Sequence, residues 1–319
     1  MYLNCHSYYS LRYGTIKPER LLAIASENGI QTLALTDINN TSACLDFVRL
    51  SKNYKIKPVL GIDFRNRAKQ QFILIAKNNN GFYNINQYLS AFLHDSDLEI
   101  PEQAPQLEDT FVVYPYTHNK PYTLKANEFL GIKPQDLNHL KFSKWHTFRS
   151  KLVVLQTVSF ENKKDFNTNR LLRAIDNNTL LSKLPKTEQG DPADRLLPYN
   201  ELYHSYQEFP ELLENTSSLL DNCSVDFDFS QEVPNNQKSY TGNESLDYKL
   251  LEKLTYQGIK YRYKNPNEII YNRIHKELYI IKEKGFVSYF LINWKILKYA
   301  RSKGYFYVGR GSGANSIIA

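Results

Sequence analysis

Short apolar runs rich in branched residues recur along the first half of the chain: Thr32-Leu33-Ala34-Leu35-Thr36, Lys57-Pro58-Val59-Leu60-Gly61-Ile62, Gln71-Phe72-Ile73-Leu74-Ile75-Ala76, Phe111-Val112-Val113-Tyr114 and Leu152-Val153-Val154-Leu155-Gln156-Thr157. Continuous runs of this kind suit strands buried on both faces. Between the early runs the period becomes helical. Residues 19–28 carry Leu21, Leu22, Ile24 and Ala25 at helical spacing, with Pro18 in the first turn and Gly29 just past the end. Residues 40–53 repeat the pattern, with Ala43, Cys44, Phe47, Val48 and Leu50 as the inward stripe. Repeated strand–helix units predict a parallel α/β sheet or barrel, whose reactive side chains stand at the C-terminal ends of the strands. Asn78-Asn79-Asn80-Gly81 reads as a turn closing the third unit, and 101–105 and 183–198 read as long loops.

After Phe229 the texture changes. Residues 230–241 are polar and read as a connector, and helical patterns follow over 244–257, 268–284 and 287–303. Among these helical patterns the clearest break is Lys264-Asn265-Pro266-Asn267, which predicts two domains, 1–264 and 265–319.

Composition narrows the possibilities without choosing among them. With 42% hydrophobic and 23% charged residues the 319-residue chain has the makings of packed cores. Its charge of +7 and pI near 9.0 are compatible with a polyanionic partner, although the Lys and Arg residues are scattered, as on any mildly basic solvated surface. Three cysteines without a CxxC spacing predict neither a disulfide framework nor a thiolate zinc site. The N-terminus lacks signal-peptide character and no run approaches ~18 apolar residues, so a cytoplasmic protein without membrane contact is expected.

Leu3-Asn4-Cys5-His6-Ser7-Tyr8-Tyr9-Ser10-Leu11, with Leu33-Ala34-Leu35-Thr36-Asp37-Ile38, resembles the PHP (polymerase and histidinol phosphatase) family. That resemblance implies a distorted (β/α) barrel in which an HxH motif and several carboxylates surround clustered metals that activate water against a phosphate ester. The ligand set is depleted here. His6 and Asp37 keep family positions, but Asn4 stands for the first histidine, Ile38 for the histidine after Asp37, Tyr13 for an aspartate, Asp63 for a glutamate and Gln71 for a histidine. Thr157 and Ser159 fall where a late Asp-x-His belongs, and His118 aligns with another ligand position. The resemblance therefore implies a vestigial site of Asn4, His6, Asp37, Asp63, Gln71 and His118 with no metal or a weakly held one, in a domain kept as scaffold. Read by themselves, His6 suits a hydrogen-bonded core histidine and Asp37 a cap for a helix starting near Asn40.

Gly285 to Trp294, Tyr299-Ala300-Arg301 and Val308-Gly309-Arg310-Gly311-Ser312-Gly313-Ala314 resemble the opening of the palm in the C-family of bacterial replicative DNA polymerases. Phe209-Pro210-Glu211-Leu212-Leu213-Glu214-Asn215-Thr216 and Gly258-Ile259-Lys260-Tyr261-Arg262-Tyr263 extend the resemblance. Glycines let a backbone approach phosphate oxygens, and arginine offers a forked cationic donor. The resemblance implies that Gly309, Arg310, Gly311 and Ser312 contact an incoming nucleotide's triphosphate, and that a Mg2+-dependent polymerase acting on primer–template DNA is the parent. The family's catalytic carboxylates are expected after Ala319, so no catalytic residue and no polymerase activity are expected within the chain itself. A proofreading exonuclease subunit and other replisome proteins are the implied partners. A free-standing PHP phosphoesterase or 3′–5′ exonuclease is the alternative; it calls for the ligands that Asn4, Ile38 and Gln71 replace. A simple nucleic-acid-binding module, using the 24 tyrosines to stack on bases, is the third reading.

Overall fold

Eight strands form one curled mixed sheet in the computed structural model, which describes residues 1–95, 97–117, 123–230 and 238–319. The strands are β1 (Tyr2–Cys5), β2 (Thr32–Leu35), β3 (Lys57–Asn66), β4 (Lys69–Ala76), β5 (Thr110–Pro115), β6 (Glu128–Ile132), β7 (Leu152–Val154) and β8 (Thr157–Val158), in spatial order 7-6-5-4-3-2-1-8. The last apolar run is thus two strands. Leu155 and Gln156 carry the chain from one edge of the sheet to the other, so β7 and β8 are neighbours in sequence and opposite edges in space.

The sheet is not wholly parallel. β4 runs antiparallel to both β3 and β5, while the remaining pairings are parallel. Only Arg67 and Ala68 separate β3 from β4, with Arg67 at φ 55°, and so short a connection allows only a hairpin. The fold is an α/β half-barrel, curled but open.

Helices α1 (Pro18–Glu27), α2 (Cys44–Tyr54) and α3 (Asn79–His94) follow the early strands. Both α1 and α2 bury the stripes that their sequences predict, apart from half-buried Leu50. The Asn78–Gly81 stretch opens α3 instead of forming a free turn: the Asn78 side chain accepts from the Gly81 N–H, an N-cap. Phe64, Phe72, Tyr88 and Tyr114 then interlock in the main core, each large buried side chain contributing roughly 1.5–3 kcal/mol.

Two further helices, α4 (Leu137–Lys141) and α5 (Lys163–Asp176), lead to α6 (Tyr199–Ser205) and α7 (Pro210–Asp221). Helix α7 covers the β7 edge chemically as well as sterically. Thr216 Oγ1 accepts from the Val154 N–H at 2.8 Å, and the Asn215 amide donates to the Arg149 and Leu152 carbonyls at 2.8 Å each. The edge is therefore no longer free to pair with another strand.

The packing divides between Phe229 and Ser230. This lies ahead of the boundary expected at 264/265, because α8 (Glu244–Arg262) shares a core with α9 (Glu268–Glu283) and α10 (Val287–Ser302): Leu251, Ile259, Ile274, Leu278, Ile281 and Leu291 are buried together. The Lys264–Asn267 break is a bend inside the second unit. No helix among the described residues is long and apolar enough to cross a membrane.

Candidate functional site

Strands β1, β3 and β8, with β2 between β1 and β3, bring Asn4, His6, Asp63, Thr157 and Ser159 into one buried cluster. Asn4 is saturated. Its Oδ1 accepts from Thr36 Oγ1 (2.9 Å) and His6 Nε2 (3.1 Å), and its Nδ2 donates to Asp63 Oδ2 (3.2 Å) and Thr157 Oγ1 (3.1 Å). His6 Nε2 faces two acceptors, Asn4 Oδ1 and Asp63 Oδ2 at 3.0 Å, and so carries the proton; its Nδ1 hydrogen-bonds with the Ser159 hydroxyl at 2.8 Å.

The residue that organises the cluster, Arg65, escapes the motif comparison. Its Nε and Nη2 both donate to Asp63 Oδ2, at 2.9 and 2.7 Å, from two positions further along the same strand face. Its guanidinium lies 5.0 Å from the centre of the Tyr13 ring, and Arg173 lies 5.9 Å from that ring on α5. Tyr13 also meets His6 edge to face. Tyr13 can take this position because Gly14 lets the loop fold back: a Cβ at Gly14 would stand 1.8 Å from the Ser7 carbonyl oxygen. The sequence signal was available, an arginine at i+2 from a buried strand aspartate.

Electrostatics follow from this packing. Burial would raise the Asp63 carboxyl, but Arg65 and His6 outweigh it and hold Asp63 below the usual carboxylate range. Among the described residues Asp63 Oδ1 has no hydrogen-bond partner. Asp194, which the sequence comparison also passed over, lies close by on the loop before α6. Its carbonyl accepts from the Ser159 and Phe160 N–H groups, and burial raises its carboxyl against the opposing pull of Lys133 and Arg65.

Two expected members stand apart. Asp37 caps no helix, since α2 begins at Cys44; its carboxylate instead accepts from the Ser7 N–H and the Ser7 and Ser10 hydroxyls at 2.6–2.7 Å, fastening the loop after β1. Burial raises it despite these donors. Gln71 is buried on β4 with its amide donating to the Lys69 carbonyl of its own strand, and none of the cluster's hydrogen bonds reaches it. His118 lies outside the described residues.

The donor set does not fit the clustered divalent metals of PHP chemistry. Asn4 has no lone pair left over, Ile38 offers none, and Asp63 is already neutralised by a guanidinium that a metal ion would repel. Burial pushes the neighbouring Cys5 thiol up, away from the thiolate that a metal requires. Among the described residues no three His, Cys, Asp or Glu side chains are grouped to hold a metal ion. No metal-dependent step is derived for this cluster.

In the second unit Gly309, Arg310 and Gly311 are exposed, Gly311 has φ 90°, and a short helical turn, Ser312–Asn315, follows. The loop thus presents consecutive N–H groups and one arginine to solvent.

Residues 3–124 match the family model described as the PHP domain, and residues 249–319 match that of the bacterial DNA polymerase III alpha NTPase domain. A DNA polymerase III subunit alpha of Streptococcus pyogenes is 26% identical over 99% of this chain and 30% of its own length. One of Ureaplasma parvum is 27% identical over 99% and 31%, and an error-prone DNA polymerase of Symbiobacterium thermophilum 25% identical over 100% and 34%. Among solved structures, a protein described as a metal-dependent phosphoesterase from Bifidobacterium adolescentis aligns at TM-score 0.27 and 11% identity, over 64% of this chain and 96% of that one, a likeness too slight to argue from. The chain spans about a third of the length of the curated relatives it matches. Residues 3–124 are thus similar to a PHP domain and residues 249–319 to the bacterial DNA polymerase III alpha NTPase domain, and nearly the whole chain aligns with about a third of each of these polymerase relatives.

Proposed function

We propose that the chain is the N-terminal part of a replicative DNA-directed DNA polymerase, acting in the cytoplasm on primer–template DNA and deoxynucleoside triphosphates with Mg2+ as the metal of nucleotidyl transfer. The carrying observation is the order of two family matches, PHP then alpha NTPase domain, on one chain. Within it the PHP unit is a scaffold, on which a proofreading exonuclease and other replisome proteins assemble. What supports the scaffold reading is that Asn4 is fully bonded and that Arg65 supplies the positive charge beside Asp63 that a metal ion would otherwise supply. The same bonding argues against the PHP phosphoesterase or exonuclease alternative.

In the second unit, Gly309, Arg310, Gly311 and Ser312 receive the triphosphate: backbone N–H groups and the Arg310 fork neutralise its oxygens. This unit also holds the charge a polyanion needs, 15 Lys and Arg against 7 Asp and Glu over residues 230–319. The test is primer extension. The full-length gene product is expected to incorporate nucleotides on a primed template in Mg2+, and residues 1–319 alone are not; a full-length product without template-dependent incorporation would sink the proposal.

A further inference from the structure

The Gly309–Ser312 loop is exposed at its tip yet fastened on both flanks. On the near side, Arg301 of α10 donates to the Tyr307 hydroxyl and lies 5.4 Å from that ring's centre. On the far side a single carboxylate does most of the holding. Glu277, buried on α9, accepts at Oε2 from the Ser316 hydroxyl (2.7 Å), the Ile317 N–H (2.9 Å) and the Ile318 N–H (3.4 Å). Its other oxygen accepts from Arg273 Nε at 2.5 Å, which fixes the carboxylate's orientation one helical turn away. Ile317 and Ile318 pack against the α8–α10 core, and Ser316 Oγ accepts in turn from the Ile318 and Ala319 N–H groups.

Such an arrangement has a use beyond stability. Glycines at 309, 311 and 313 leave the loop many backbone states, and an anion site built from backbone N–H groups needs those groups held in one direction before the anion arrives. Between Tyr307 and Ser316 the chain has little else to hold it: Val308 to Gly311 are exposed, and a Cβ at Gly311 or Gly313 would meet nothing. We infer that Glu277 is the positioning residue of the phosphate-binding loop, setting the path of Gly309–Asn315 by fixing the backbone of Ser316–Ile318. The inference rests on the triphosphate reading of that loop. Glu277 touches no phosphate; its negative charge would repel one. Its whole contribution passes through the three donors it collects.

The experiment uses the 319-residue chain and inorganic tripolyphosphate, with affinity read by calorimetry and backbone order by hydrogen exchange. Glu277→Ala is expected to weaken tripolyphosphate about tenfold, the scale of lost hydrogen bonds to a charged group, and to speed exchange at Ile317 and Ile318 while the α10 interior stays protected. Arg310→Ala is expected to weaken it about as much with exchange at Ile317 and Ile318 unchanged. Ser316→Ala leaves Glu277 in place and removes one donor; it should give a smaller loss of the same kind, and it carries the test if Glu277→Ala melts the unit. Unchanged affinity in Glu277→Ala and Ser316→Ala, beside a loss in Arg310→Ala, overturns the positioning role and leaves the phosphate reading standing. Unchanged affinity in Arg310→Ala overturns the phosphate reading itself, and the positioning role with it.

Discussion

The two units put their charge to opposite uses. Residues 1–229 carry 25 Lys and Arg against 26 Asp and Glu, so the whole positive excess of the chain belongs to residues 230–319. In the first unit the chemically active side chains face inward: His6, Asp63 and Arg65 are buried, with His6 and Arg65 both donating to Asp63 Oδ2. In the second unit Arg310 stands in solvent, beside exposed Tyr305, Phe306 and Val308. A cluster that has closed on itself stabilises a fold; an exposed cation can meet an anion from outside. The same residue type, arginine, is structural at 65 and available at 310, and the sequence alone does not say which.

The largest expected effect breaks the closed side of this contrast. Arg65→Ala leaves Asp63 buried without its counter-charge and should cost about 3–5 kcal/mol, read by urea denaturation followed through the fluorescence of buried Trp145. A loss below about 1 kcal/mol, within the range of a surface pair, would show that Arg65 is not the cluster's counter-charge. The pH dependence has a definite sign. Asp63 is held below its unfolded value, so its contribution is present above about pH 4 and fades as pH falls towards the depressed folded value. The gap between the wild type and Arg65→Ala should therefore narrow in acid, where protonation relieves the unpaired carboxylate of the variant.

On the open side, Arg310→Ala in the full-length polymerase should lower nucleotide specificity about tenfold or more, equally for all four nucleotides, with the melting temperature unchanged. Single-turnover incorporation beside a thermal melt measures both. A marked fall in melting temperature with unaltered specificity would make Arg310 a structural tether, and the contrast would disappear.

A comparable but purely structural loss is expected at the sheet edge. Thr216→Val keeps the shape of the side chain and leaves the Val154 N–H without its acceptor, which should cost about 1–3 kcal/mol in the same urea experiment. A neutral result would mean that water reaches the edge of β7.

The smallest effect concerns Asp194, whose carboxyl is raised by burial. For an acid raised on folding, stability falls as pH rises from the unfolded value, near 4, through the folded one. Asp194→Asn should remove that decline and be slightly more stable than the wild type at pH 7. A less stable variant at pH 7 would show that the Lys133 pair outweighs the burial.

Much of the architecture was legible because it rests on periodicity. The runs at 32–36, 57–62, 71–76 and 111–114 all fall within or across β2 to β5, and the patterns at 244–257, 268–284 and 287–303 lie on α8, α9 and α10. What escaped did not show in the periodicity of the residues concerned. Strand direction at β4 is decided by a two-residue connection, not by its own residues. The β6 strand, Glu128–Ile132, is short and follows a lysine- and asparagine-containing stretch that reads as loop. At the site, motif comparison found Asn4, His6, Asp63, Thr157 and Ser159 because each occupies a family position, but it also enrolled Asp37, whose carboxylate fastens the loop after β1, and Gln71, whose hydrogen bond stays within its own strand. It passed over Arg65, Asp194 and Glu277, whose roles come from what the fold sets beside them.

The hop from β7 to β8 has a bearing on biosynthesis. Of the eight strands β1 is made first, yet one of its two neighbours in the sheet, β8, arrives with Thr157, 153 residues after Asn4. At ~5–20 residues per second that neighbour is on the order of ten seconds late. Until then one edge of β1 is uncovered, and Asn4 and His6 lack the Thr157 and Ser159 hydroxyls that complete their bonding. The nascent half-barrel must be protected or remain fluid over that interval, and it is finished only later, when the Asp194 loop and α7 have followed.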